Sequence, residues 1–264
     1  MAVHEIVVVS GKGGTGKTTV TASLIPFLGS LVIADCDVDA PDLYLLLDPQ
    51  ETHTEHFSGA KKAFIDGSKC TECKRCVTVC HFNAITPAVE ILEYRCEGCG
   101  VCREICPVQA VQLRECNTGQ IYYSQTVYGH MVHAKLVPGE EASGKLVSLV
   151  RTQAKKKAEE QGIETVLIDG SPGIGCNVIS SITGADTILI IIEPTLSGLS
   201  DMKRLLQVTE KFSSKVYIMI NKFDLCEKIS DKIEQEALER EIEILAKIPF
   251  DEKVVSAITA AKIP

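Results

Sequence analysis

Short apolar runs recur along the chain with helical patterns between them. Residues 6–10 (IVVVS), 31–37 (LVIADCD), 165–169 (TVLID), 187–193 (TILIIIE) and 215–221 (KVYIMIN) are continuous in hydropathy rather than alternating. Such runs fit parallel strands covered on both faces, whereas a strand with one wet face alternates. A helical pattern runs from Lys17 to about Leu28, and an amphipathic one spans 143–162 and stops at a glycine. Residues 241–250 supply a last strand, and 121–138 read as β-rich and hairpin-like. From about His53 to Glu115 the alternation breaks into short turns with little helical periodicity. The predicted fold class is α/β: a doubly wound, mainly parallel sheet with a small domain inserted after its second strand. The expected boundaries are 1–55 and 118–264 for the discontinuous larger domain, and 56–117 for the insert.

The first run leads into SGKGGTGKTT (10–19), which fits the phosphate-loop pattern GxxxxGK[ST] between a strand and a helix. Gly11, Gly13, Gly14 and Gly16, with Thr15 and Thr19 in the same loop, let backbone N–H groups turn toward phosphate oxygens. The helix that follows adds the positive end of its dipole. Lys17 is expected on the β- and γ-phosphates and Thr18 on Mg²⁺. Lys12 is a second lysine inside the loop, and by itself reads as a solvated charge.

Polar groups collect where later strands end, which is where ligands bind in such sheets. DCDVDAPDL (35–43) places Asp35, Asp37 and Asp39 at the close of the second strand. Hydrolysis needs a group that positions the attacking water, and a carboxylate can serve. IDGSPGIG (168–175) follows another strand with Asp169. NKFD (221–224) closes a further one; Asn221 suits a purine edge, and Asp224 falls where the guanine-reading NKxD of GTPases has its carboxylate. That motif alone leaves ATP and GTP both open.

Composition changes the picture in one respect: there are 12 cysteines. The opening MAVHEIVVVSGKGG has no basic leader region and only a short apolar run. No run reaches the length of a membrane span. The chain is therefore expected in the cytoplasm, without a membrane anchor, where close cysteines favour metal or cluster ligation over disulfides. Eight of them form Cys70-x₂-Cys73-x₂-Cys76-x₃-Cys80 and Cys96-x₂-Cys99-x₂-Cys102-x₃-Cys106-Pro107. Zinc sites use CxxC pairs separated by a longer loop rather than such triplets. Three thiolates on one tight loop suit three corners of an iron–sulfur cube, and the fourth corner lies beyond the reach of that loop. Lys74, Arg75, Arg95 and Arg103 stand near these loops, where they suit docking of an acidic redox partner, although solvated charges are the common case. Cys36 and Cys226 read as core, and His130 and His133 as surface or interface rather than metal ligands. Net charge is −8, from 27 basic and 35 acidic residues, so no nucleic-acid partner is expected.

The two cysteine runs resemble bacterial two-cluster ferredoxins, in which the fourth cysteine of each run serves the other cluster. The resemblance implies one 4Fe–4S cluster on Cys70, Cys73, Cys76 and Cys106, and another on Cys96, Cys99, Cys102 and Cys80. His81 departs from it, since ferredoxins usually place proline after the fourth cysteine. The KGGTGKT loop resembles the deviant phosphate loop of the MinD/Mrp/ParA ATPases. In that family the extra lysine reaches across an ATP-bound dimer, which implies the same role for Lys12. The resemblance further implies Asp37 as the water-positioning carboxylate, with Asp35 and Asp39 in support. It makes Asp169 the Walker B aspartate behind Mg²⁺, 170–175 the second switch, and Asn221 an adenine contact.

Together the motifs resemble MinD-superfamily P-loop ATPases with an inserted ferredoxin domain, a group also described as cobyrinic acid a,c-diamide synthase-like. The resemblance implies ATP/ADP, Mg²⁺ and two 4Fe–4S clusters as cofactors. Its implied partners are a second copy or a paralogous ATPase, together with a redox protein. The leading expectation is an ATPase whose dimer and switch cycle is coupled to electron transfer. A second is an iron–sulfur carrier of the Mrp type, although the CxxC such carriers use is missing outside 70–106. A third is a MinD-like positioning switch, although the closing VVSAITAAKIP is too short and too weakly basic for a membrane-binding helix. Cys176, seven residues past Asp169, shares its offset with a cluster cysteine of the nitrogenase iron protein, yet one such thiol per subunit is too few for a bridging cluster.

Overall fold

The structure is a computed structural model and describes residues 2–140 and 143–264. In chain order the elements are β1 (His4–Ser10), α1 (Lys17–Leu24), β2 (Leu31–Asp35), α2 (Leu43–Leu47), β3 (Gln50–Phe57), β4 (Ala60–Ile65), α3 (Arg75–Val79), α4 (Val101–Glu104), β5 (Val111–Cys116), β6 (Gly119–Gln125) and β7 (Gly129–Leu136). They continue with α5 (Ser143–Gln161), β8 (Thr165–Pro172), α6 (Cys176–Ile182), β9 (Thr187–Ile192), α7 (Leu196–Thr209), β10 (Lys215–Asn221), α8 (Glu227–Glu239), β11 (Glu243–Ile248) and α9 (Glu252–Thr259).

Among the described residues one sheet has nine strands in the order β11-β10-β9-β1-β8-β2-β7-β6-β3. The pairs from β11 through to β7 are parallel. The continuous apolar runs are explained by burial on both faces. Val8, Ile33, Leu167 and Ile191 pack with Val20 and Ala22 of α1 and Leu43 of α2. Val7, Val9, Val32 and Ile168 are also fully buried. A buried ion pair ties elements together as well: Arg151 on α5 reaches Glu5 of β1 at 3.0 Å and the carbonyls of Ser180 and Thr183 at 2.9 and 2.6 Å. The predicted mainly parallel α/β sheet is therefore observed.

Two details differ from the sequence reading. The first helix ends at Leu24 and continues as a 3₁₀ turn over Ile25–Phe27, because Pro26 lacks an N–H to extend the α ladder. The 121–138 stretch forms β6 and β7, neighbours in the main sheet joined by a short turn as the hairpin-like reading expects, and β7 also runs parallel to β2, pairing His133 with Asp35. His133 is accordingly buried, which corrects the surface reading. Its ring stacks on Tyr122 at 4.8 Å and on Tyr44 at 5.8 Å between centroids. Burial without a compensating charge pushes its pKa down to about 4.

The chain divides into two compact units. One comprises Met1–Glu55, Ile121–Lys135 and Ser143–Pro264; the other comprises His56–Gln120 and Leu136–Ala142. In the second unit β4 and β5 pair antiparallel, from Ala60 opposite Cys116 to Ile65 opposite Val111. Its core gathers Ala63, Ile85, Val89 and Val111 around Cys76 and Cys102. The two cysteine runs share backbone geometry. Residues two, four and thirteen positions past the first cysteine are left-handed in both: Glu72, Lys74 and Asn83 in one run, Gly98, Gly100 and Gln109 in the other. Glycine adopts that region freely, while other residues pay about 1–2 kcal/mol for it.

Leu167 is fully buried at the centre of the sheet. Leu167→Ala is expected to cost about 2–5 kcal/mol in a urea titration of the apo protein. Leu238→Ala, at a side chain 78% exposed, should stay within about 0.5 kcal/mol.

Candidate functional site

The loop between β1 and α1 is shaped by its neighbours. Gly14 and Gly16 lie in the left-handed region at φ 79° and 89°. A Cβ on Gly16 would sit 2.2 Å from Nδ2 of Asn221, and the same Nδ2 donates to the Thr15 carbonyl at 2.7 Å. Asn221, at the end of β10, is thus wedged against the loop. A Cβ on Gly11 would meet Asp201 of α7 at 2.2 Å, whereas around Gly13 the space is open. The Thr15 hydroxyl is buried and unpartnered among the described residues.

Lys17 opens α1 and is nearly sealed from solvent. Its Nζ lies 2.8 Å from Asp169 and 3.9 Å from Asp37. The Thr18 hydroxyl donates to the second oxygen of Asp169 at 2.7 Å, and Thr21 donates to the first at 2.8 Å. Asp35 and Asp169 are register neighbours on β2 and β8. Asp35 accepts the N–H groups of Asp37 and Leu43, at 3.0 and 3.3 Å. Burial would depress the Lys17 pKa, but Asp169, Asp37 and Asp35 together raise it above the ordinary lysine value. Burial, reinforced by Asp169, holds the Asp35 carboxyl well above the usual range. Asp37 is pushed up to about 6, chiefly by burial, with Lys17 opposing. Asp169 and Asp37 facing one ammonium, with Asp35 behind them, make a site whose negative charge a divalent cation would complement. These groups border a cavity of about 1000 Å³ that also takes in Asn221, Phe250 and Val254.

Two of the sequence candidates face elsewhere. Lys12 donates to the hydroxyls of Thr195 and Ser197, each at 3.1 Å, and sits 3.4 Å from Glu193. Asp224 accepts the Phe250 N–H at 2.8 Å, which orders the turn after β11. Asp39 takes a hydrogen bond from Asn177 at 3.0 Å.

In the second unit the eight clustered cysteines border two pockets of similar size. One, of about 20 Å³, is lined by Cys70, Cys73, Cys76 and Cys106. The other, also of about 20 Å³, is lined by Cys96, Cys99, Cys102 and Cys80. Each pocket thus gathers three thiols of one run and the last thiol of the other. Backbone N–H groups point at the sulfurs: Ala84 at Cys80 and Ala110 at Cys106, both at 3.3 Å and both four residues on. Cys70 and Cys96 accept from Glu72 and Ala63 at 3.4 and 3.3 Å. Burial would raise the Cys106 pKa, but the N–H groups of Ala110, Val108, Val111 and Gln109 outweigh it and hold it below the ordinary thiol value. Among the described residues no three His, Cys, Asp or Glu side chains converge on a point that could hold a single metal ion. The remaining thiols differ in setting: Cys36 is buried with its pKa raised by burial, Cys116 and Cys226 are half-buried, and Cys176 is exposed.

The family model of the CobQ/CobB/MinD/ParA nucleotide binding domain matches residues 6–264. The chain belongs to this family. A CobQ/CobB/MinD/ParA nucleotide-binding domain of P-loop ATPase type therefore accounts for the sheet and its loop. Uncharacterized protein MJ0578 of Methanocaldococcus jannaschii is 32% identical over 83% of this chain and 78% of its own length. The iron-sulfur cluster carrier protein of Pyrococcus horikoshii is 21% identical over 96% of this chain and 76% of its own. A 52-residue stretch, 20% of the chain, is 40% identical to 64% of the pyruvate synthase subunit PorD of Methanothermobacter marburgensis. In fold, the cell division ATPase MinD of Pyrococcus furiosus superposes with a TM-score of 0.56 at 19% identity, covering 98% of this chain and 88% of that one. No helix among the described residues is long and apolar enough to cross a membrane.

Sequence reasoning missed Glu193, Thr195, Ser197 and Asp201 around the loop of this CobQ/CobB/MinD/ParA domain. Glu193 accepts from Lys222 at 2.9 Å as well as facing Lys12. Its burial is outweighed by these two lysines, and its pKa falls below the ordinary value. The only signal for the group was the polar stretch EPTLSGLSD (193–201) after a strand, the same placement that singled out the aspartates.

The folded Asp37 carboxyl titrates near 6 against an ordinary 3.8, so the folded protein holds that proton more tightly than the unfolded chain. This stabilisation is complete below about pH 4 and lost as pH rises through about 6. Asp37→Asn removes the loss. Without nucleotide, the variant is expected to melt a few degrees above wild type at pH 8, with about half of the gain left at pH 5 and most of it gone below about pH 4, as read by calorimetry.

Proposed function

We propose that this protein is an ATP-binding and ATP-hydrolysing switch whose cycle is coupled to electron transfer through two 4Fe–4S clusters on its second unit. The observation that carries the reading is the sorting of eight cysteines into two pockets, each holding three thiols of one run and the fourth of the other. Eight thiols in two quartets, with N–H groups aimed at the sulfurs, fit a pair of cubane clusters. Cys70, Cys73, Cys76 and Cys106 would hold one, and Cys96, Cys99, Cys102 and Cys80 the other. When bound, such clusters supply reversible one-electron storage. The local likeness to PorD, named as a pyruvate synthase subunit, supports a redox setting.

On the nucleotide side, backbone N–H groups from Gly11 to Thr19 cradle the phosphates and Lys17 neutralises the β- and γ-phosphates. Thr18 and Asp169 serve Mg²⁺; their present hydrogen bond places both oxygens beside the Lys17 ammonium. Asp37 positions the attacking water, with Asp35 held behind it by the Asp37 and Leu43 N–H groups. Asn221 contacts adenine, and Asp224 supports the base pocket through Phe250. Lys12 leaves Glu193, Thr195 and Ser197 to reach the nucleotide of a second copy in an ATP-bound dimer. The MinD-like fold and the wide family match support this cycle. The insert, 56–117, is read as the ferredoxin-like domain.

A second reading is favoured by one finding, the likeness over 96% of the chain to a protein named as an iron-sulfur cluster carrier. There the clusters would be cargo rather than resident. Incubating the two-cluster protein with an apo-acceptor separates the readings. Electron gating expects iron to stay bound, and ATP to change the reoxidation rate of the reduced clusters. Quantitative transfer of iron to the acceptor would establish the carrier instead.

Two substitutions probe the assignments. Cys80→Ser is expected to damage the same cluster as Cys96→Ser, giving matching paramagnetic resonance spectra and leaving the other signal intact. Damage confined to the cluster of Cys70 would show that the quartets do not cross. Lys12→Ala is expected to bind ATP yet stay monomeric in light scattering, where wild type dimerises.

A further inference from the structure

The two cysteine pockets differ at their rims. The pocket of Cys96 and Cys99 is bordered by Val79, Phe82 and Val101, apolar and exposed, with Glu97 as the exposed charge among its lining residues. The pocket of Cys70 and Cys73 is bordered by Lys74 and Arg75, both exposed and beside the exposed Cys73. Of the four cations that stand near the loops, two are engaged within the unit. Arg103 pairs with Glu104 at 2.6 Å, and Arg95 lies over the Tyr94 ring at 5.6 Å. Nearby Lys69 pairs with Asp66 at 3.6 Å. Among the described residues the side chains of Lys74 and Arg75 have no ion pair or hydrogen bond.

Lys74 also occupies a costly backbone position. Its φ is 59°, and the equivalent residue of the other run is Gly100 at φ 80°. A side chain is strained there where glycine is not, and the same holds for Glu72 opposite Gly98. Residues 56–117 carry eight Lys and Arg and seven Asp and Glu, a net +1, against −9 for the rest of the chain. A strongly acidic protein is therefore repelled by most of this molecule and needs a local cationic patch to approach it.

We infer that the Lys74–Arg75 rim is the docking surface for an acidic one-electron carrier protein, which exchanges its electron at the cluster of Cys70, Cys73, Cys76 and Cys106. This rests on the two-cluster reading above. A cluster with four thiolates brings negative charge to each pocket. Lys74 and Arg75 offset it on one face, while Glu97 adds to it on the other. In the exchange one iron–sulfur centre is oxidised by one electron as the other is reduced by one, and no bond forms or breaks. Rim charges of this kind act mainly on encounter rate and on salt dependence.

The test uses the full chain with its clusters in place and an oxidised plant-type [2Fe–2S] ferredoxin as the acidic probe. Calorimetry at low salt is expected to show binding that weakens as salt rises. The double variant Lys74→Glu/Arg75→Glu should bind at least about tenfold more weakly and lose most of the salt dependence. Its electron exchange with the reduced probe should slow by a similar factor, while reduction by dithionite is unchanged. Arg95→Glu/Arg103→Glu should stay within about twofold of wild type. A double variant with full iron content that binds as wild type does, or a wild type with full iron content that does not bind the probe, overturns the docking surface and leaves the two-cluster reading standing. A wild-type chain that takes up no clusters removes that reading and the docking surface with it, and iron analysis tells the two failures apart.

Discussion

Everything in the larger unit converges on one buried ammonium. Lys17 is shared by Asp169 at 2.8 Å and Asp37 at 3.9 Å, with Asp35 on the adjoining strand. Carboxylates tolerate such crowding when a cation lies among them or when one of them keeps its proton, as the raised pKa of Asp35 favours. The parallel sheet sets the crowding up, because β2 and β8 run side by side and end with Asp35 opposite Asp169. The continuous apolar strands are thus the reason the charges meet: they fix the register, and the register delivers the carboxylates to the start of α1. The site is costly in the apo protein, which is the expected state of a surface built for a ligand rather than for its own stability.

The second unit solves a different problem. It has no large apolar core, and among its buried side chains are Cys76 and Cys102. Its two runs repeat one backbone path, left-handed turns included, with glycine at two of the three positions in one run and at none in the other. Backbone N–H groups turned toward sulfur follow from that path, since Ala84 and Ala110 hold equivalent places in it. Small domains of this size commonly need metals or cross-links to compensate for a small core.

Legibility in the sequence follows the range of the interaction. The phosphate loop was readable because its glycines, Lys17 and Thr18 are contiguous, and the central strands because two-sided burial writes an unbroken apolar run. The crossing of the cysteine quartets was implied by the ferredoxin resemblance, and the pockets group the same residues. One edge strand of the sheet, β3, was not readable. β3 is exposed along nearly its whole length and carries the polar sequence QETHTEHF, with no hydropathy signal to mark it. The burial of His133 depends on β2 and on Tyr44 and Tyr122, which are distant in sequence. Lys12 was read with the right neighbours in the loop and without Glu193, because nothing local announces a partner some 180 residues away.

The wedge between Asn221 and Gly16 has an evolutionary consequence. The amide of Asn221 occupies the space a side chain at position 16 would need, and it also closes the loop through the Thr15 carbonyl. Neither position can drift alone: a side chain at 16 demands a smaller residue at 221, and a new residue at 221 leaves a carbonyl of the phosphate loop unanswered. A change at the end of β10 therefore passes through the geometry that grips phosphate. Mutational paths that alter what this strand end touches are expected to be epistatic with the loop, and so narrow.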